Sequence, residues 1–146
     1  IRYMFPDPIT AAGWQVYVVQ MLMSEGFGDW NDEYHILKLK EEVMVVCHAF
    51  IEEQYYSGKM DRRNAIAYLR ENAFLNDREA EELIVATDLH YFTGTMAFIG
   101  MMEINYLLKE YKQNLGDEFQ IIQFHQEILE NGVIPFNQLK QQILSL

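Results

Sequence analysis

The chain has 146 residues, 22 acidic against 11 basic, for a formal net charge of −11. That length suits one ordinary domain with a real core, and a hydrophobic content of 50% argues against disorder. Such acidity repels phosphate backbones and excludes nucleic acid as an expected partner, while the lone Cys47 excludes both an intrachain disulfide and a cysteine-based zinc site.

Pro6 and Pro8 set an extended lead-in, since each restricts its own φ and biases the preceding residue away from helix. Thr10 then caps a helix over about 11–25, with Trp14, Tyr17, Val18, Met21 and Leu22 on one face. Gly26 and Gly28 end it, and Phe27 and Trp30 are expected to fold back onto the core. A long helix follows over 32–56. Ile36, Leu39, Val43, Val46, Cys47, Phe50 and Gln54 recur at helical steps and are taken as its buried face, with Glu52 among the charges opposite. Asp61 caps a short helix through Asn72 that buries Ala65, Ile66, Tyr68 and Leu69.

Asn76, followed by acids in the first turn, opens the next helix, which buries Ala80, Leu83, Ile84 and Thr87. Thr93-Gly94 reads as a break. The helix over about 95–115 is apolar on most sides through Phe98, Ile99, Met101, Met102 and Ile104, as expected of a central helix. Gly116 ends it. Helices near 118–130 and 136–145, divided by Asn131-Gly132 and Pro135, complete the chain. The expected fold is therefore all-α: six or seven helices in an irregular bundle, one domain over 1–146. The longest nearly uncharged stretch, Leu89 to Met102, is shorter than the roughly 20 residues that span a bilayer, so no membrane span is expected.

The segment Thr10 to Val19 resembles the E-G-W-A-x-Y-x-E motif of the family known as domain of unknown function 885. Gly13, Trp14 and Tyr17 stand at the right spacing, but Ala12 and Val19 take the two Glu positions. Asn64-Ala65-Ile66-Ala67-Tyr68 is similar to the family's Q-A-I-x-Y. Leu115-Gly116-Asp117-Glu118-Phe119, then Phe124-His125 and Gly132 to Pro135, are similar to its closing L-G-x-x-F…F-H…G-x-x-P. The resemblance runs over roughly residues 5 to 144. It implies a zincin-like ancestry related to helical metallocarboxypeptidases, with zinc in active relatives held by an upstream H-E-x-x-H-like helix and the first Glu of E-G-W. An alanine methyl cannot ligate zinc, so no zinc or other cofactor is expected in this chain. The family's R-x-x-x-D-x-x-x-H falls on His48, Glu52 and Tyr56, and the Tyr of its P-G-Q-A-x-x-Y falls on Ile99.

His48, Glu52 and Tyr56 share a helix face by their spacing of four. A His and a carboxylate so placed supply either two metal ligands or an acid–base pair. The alternative is a half-buried polar stripe in which Glu52 stabilises the charged form of His48. With His90, near the Thr93-Gly94 break, these residues form a candidate vestigial groove. His125 reads as a satisfied core or boundary histidine beside buried Ile121, Ile122 and Ile128, and His35 as solvent-facing. Met96, Met101 and Met102 are core by default, with an adaptable apolar groove as the alternative. No Ser-His-Asp or Cys-His arrangement, Walker loop or dinucleotide fingerprint stands out, so no catalytic and no metal residue is assigned.

Two functional classes remain. The first is a non-catalytic helical domain resembling the carboxy-terminal half of a zincin-like protein; an active parent protein would be a metal-dependent peptidase-like hydrolase. The second is a helical interaction module for a peptide, a partner helix or its own copy. The chain begins late in the family pattern and without a signal peptide or initiator methionine, so it is expected to be the carboxy-terminal part of something longer. The single cysteine points weakly to the cytoplasm. A patch on Val16, Val19 and Met23 and around Tyr55 and Tyr56 is expected to be bare in the isolated chain, favouring a homodimer or contact with a missing amino-terminal half.

Overall fold

The structure, a computed structural model, describes residues 6–29 and 31–145. Among them are seven α-helices, one short 3-10 turn and no strand. The all-α expectation holds. The helices are α1 (Pro8–Ser24), α2 (Asp32–Tyr56), α3 (Arg62–Asn72), α4 (Asp77–Leu89), α5 (Thr93–Leu115), α6 (Ile121–Asn131) and α7 (Phe136–Leu144). The chain divides into two compact units, one of Ile1–Tyr17 with Ile99–Leu146, the other of Val18–Phe98. No described helix is long and apolar enough to cross a membrane.

In the unit that holds both chain ends, α1 starts two residues before Thr10. Pro8 takes the first helical position, where a missing N–H costs nothing, and the Asp7 carboxylate accepts the Thr10 N–H at 2.8 Å. Asp7 is thus the cap. Thr10 is buried inside the helix instead, its hydroxyl donating to the Ile134 carbonyl at 2.8 Å. The core draws Met101, Ile104, Leu107 and Tyr111 from α5, Phe124 and Ile128 from α6, and Leu139 and Ile143 from α7. These spacings give α5 one buried face. Its apolar character on most sides does not make it buried all round, because Ile99 is exposed. Ile122, expected inside, is also exposed: Phe124 and Ile128 at an i, i+4 step already fill the inward line of α6.

In the Val18–Phe98 unit, Cys47 and Ile51 of α2, Ala65 and Leu69 of α3, Ala73 and Leu75, and Ala80 and Ile84 of α4 form the core. Three side-chain caps set the helix starts. Asn31 accepts the Glu33 N–H, Asp61 accepts the Asn64 N–H, and Asn76 with Glu79 closes a capping box. The expected face of α2 needs correction. Cys47 is buried, but Ile36, Leu39, Val46 and Phe50 are exposed, while Glu52, placed opposite, is 0% exposed. Two apolar lines run along α2, and period alone cannot choose between them. Phe27 does not fold inward; it is exposed with its ring against Tyr34. Trp30 lies outside the described residues. Thr93 and Gly94 form the first turn of α5 rather than a break.

Candidate functional site

Three of the four groove candidates meet on one buried polar hub within the Val18–Phe98 unit. Its centre is Glu52. One carboxylate oxygen accepts the Gly94 N–H at 3.0 Å, and the other accepts the Thr95 N–H and the Thr95 hydroxyl, each at 2.7 Å. The first turn of a helix has orphan N–H groups and a positive end, so a carboxylate there is doubly favoured. Glu52 thus caps α5 from near the carboxy-terminal end of α2.

His48, one turn earlier, brings Nε2 to 3.5 Å from the Glu52 carboxylate and 3.0 Å from the Thr87 hydroxyl. The Thr87 hydroxyl donates its one proton to the Leu83 carbonyl at 2.8 Å, so it accepts from His48 Nε2–H. Burial pulls the His48 pKa below 6.5, and the Glu52 charge opposes that pull without cancelling it. Glu52 does favour the charged form of His48, as the polar-stripe reading has it, but desolvation outweighs that pull. The imidazole also sits on Gly94, where an added Cβ would come within 2.7 Å of Nδ1.

Tyr56 completes the line. Its hydroxyl donates to the Thr87 carbonyl at 2.7 Å, and its ring packs against Tyr91 and Phe92 at centroid distances of 5.6 and 5.0 Å. Burial, then the Glu52 charge, raises its pKa. His90 does not join the hub. It is exposed at the C-cap of α4. Thr87, Gly94 and Thr95 were missed as partners because each reads locally as a core or break residue. No local signal marks them, because Glu52 lies off the apolar period of α2.

The family-motif residues form a second cluster in the other unit. The Tyr17 hydroxyl lies 2.8 Å from His125 Nε2, and the Trp14 ring packs on Tyr17 and His125 at 5.5 and 6.1 Å. Tyr17 is buried, but Trp14, Ala12 and His125 are only half-buried. Gly13 lies against Gly100, where a Cβ on Gly100 would come 2.7 Å from the Gly13 Cα. The structure thus joins the G-W-x-x-Y and F-H segments, far apart in sequence, at one place.

Neither cluster offers a metal the donors that the resemblance implies. Ala12 presents a methyl at the Glu position, and among the described residues no three His, Cys, Asp or Glu side chains are grouped to hold an ion. No buried side-chain nitrogen or oxygen among the described residues lacks a hydrogen-bond partner, so the Glu52 hub is a closed network.

The family described as bacterial protein of unknown function (DUF885) matches residues 3–143. A solved structure from Shewanella oneidensis, described as a candidate lipoprotein of unknown function, is similar at 28% identity and a TM-score of 0.88. The similarity covers 98% of this chain and 26% of that one, so the chain spans about a quarter of the Shewanella protein's length. No curated protein matches.

Proposed function

The chain belongs to the DUF885 family of bacterial proteins, and from that premise we propose that it is a non-catalytic helical segment of a larger, zincin-like, peptidase-related protein. One observation carries the reading: the G-W-x-x-Y frame is intact and packed, while its ligand position is Ala12. Gly13 keeps its close approach to Gly100, and Tyr17 keeps a hydrogen-bonded partner. The scaffold positions are retained and the donor is lost. In this reading the Glu52 hub is architectural, and the segment forms part of a wall in the larger protein. Zinc belongs to active relatives alone.

The test is elemental analysis of the dialysed chain together with a peptidase assay on a mixed peptide substrate. No stoichiometric zinc and no cleavage are expected. One zinc per chain, lost in His48→Ala or Glu52→Ala, would overturn the reading. A second reading is a self-associating helical interaction module, and the exposed apolar residues of α2 favour it. Sedimentation over a range of concentrations separates the two.

A further inference from the structure

α2 buries one apolar line and leaves most of another exposed, with Val43 packed against the core and the Phe50 ring 4.9 Å from that of Tyr68. Ile36, Leu39, Val43, Val46 and Phe50 follow one another at steps of three and four residues, the spacing of a helix seam that packs on another helix. Four of the five stand well exposed: Ile36 at 65%, Leu39 at 56%, Val46 at 47% and Phe50 at 40%. The seam runs about 21 Å along the helix at 1.5 Å per residue. Scattered exposed apolar residues are ordinary, but an aligned row of this length marks a contact surface.

The charges beside the seam narrow the occupant. Helices from separate chains choose each other largely through flanking charges. Here Lys40 is paired with Glu79 at 3.5 Å and Glu42 with Lys38 at 3.4 Å, all within this chain. Those flanks have little to offer an incoming chain. A covalently connected helix needs no such code, because tethering raises its effective concentration. The similar Shewanella polypeptide has most of its length outside the matched region, so a like protein has ample chain to cover the seam.

We propose that the Ile36–Phe50 seam of α2 is the docking face for an apolar helix of the same polypeptide, from a part of the larger protein beyond these residues. This rests on the reading of the chain as a segment of a larger protein, and not on the loss of zinc. The test places Leu39→Lys with Val46→Lys in the 146-residue chain and in the full polypeptide that its gene encodes. In the short chain both side chains are already wet, so its unfolding midpoint should scarcely move. In the full polypeptide the midpoint should fall by several degrees, and cleavage within α2 by a dilute protease should accelerate. An equally small shift in both would overturn the proposal. So would a concentration-dependent dimer of the short chain that the double substitution abolishes, or a reading frame with no further chain. Zinc found in the full polypeptide would sink the non-catalytic reading and leave the seam untouched.

Discussion

The Glu52 carboxylate takes two hydrogen bonds from Thr95, one from its backbone N–H and one from its hydroxyl, each at 2.7 Å. Together with the Gly94 N–H, these fix the start of α5 from a residue forty-two positions earlier. Glu52→Ala removes every acceptor at once and leaves the Gly94 donor buried and the two Thr95 donors partly buried without their carboxylate. The expected cost is about 2–4 kcal/mol, the range for orphaned buried donors bonded to a charged group. Thr95→Val removes only the hydroxyl bond and should cost about 1 kcal/mol. Urea unfolding followed by circular dichroism measures both. Equal losses in the two variants would mean that the backbone bonds contribute little.

Gly13 gives a sharper sign test. Replacing glycine by alanine inside a helix ordinarily stabilises by about 1 kcal/mol. At Gly13 the new Cβ would run into the backbone of Gly100, which cannot swing aside as a side chain does. Overpacking of this kind costs about 1–3 kcal/mol or more and opposes the propensity gain. Gly13→Ala should therefore lower the thermal midpoint, whereas Gly58→Ala meets nothing within 4 Å and is strained only by its φ of 72°. A Gly13→Ala chain more stable than wild type would show that the two glycines do not approach closely in solution.

Helix existence was legible in this sequence because caps and breaks are local chemistry. Asp61, Asn76 and Gly116 each mark a boundary that the structure keeps within a residue or two. The α1 start was misplaced because Asp7 and Thr10 are both good caps, and only a distant acceptor, the Ile134 carbonyl, reserves the Thr10 hydroxyl. Face assignment failed on α2, where two apolar lines compete and tertiary partners decide. Trp14, placed on the apolar face of the first helix, is only half-buried, since a motif fixes spacing and not depth. The spacing of His48, Glu52 and Tyr56 was readable. Their shared partners Thr87, Gly94 and Thr95 were not, because nothing in a linear pattern brings α4 and the start of α5 to α2.

The last prediction concerns pH. His48 is held mostly neutral by burial, with its folded pKa below the ordinary 6.5, and the groups facing it are the Glu52 carboxylate, the Thr87 hydroxyl and the Gly94 backbone. As pH falls through about 6.5, His48 in the unfolded chain takes up a proton before His48 in the folded chain does. The unfolded state then binds more protons, so stability falls with pH until the folded pKa is also passed. Wild type should accordingly lose stability between pH 7.5 and 5.5, and His48→Gln should lose less over the same interval. The other histidines are common to both proteins, so the difference between the two profiles isolates His48. Glu79 acts in a lower window. The Asn76 N–H, more than Lys40, holds its carboxyl below 4.5, and that contribution disappears only as pH falls through the folded value. Urea midpoints across the pH series decide the matter. If wild type gained on the variant as the solution was acidified, the attraction of Glu52 for an imidazolium would outweigh its desolvation.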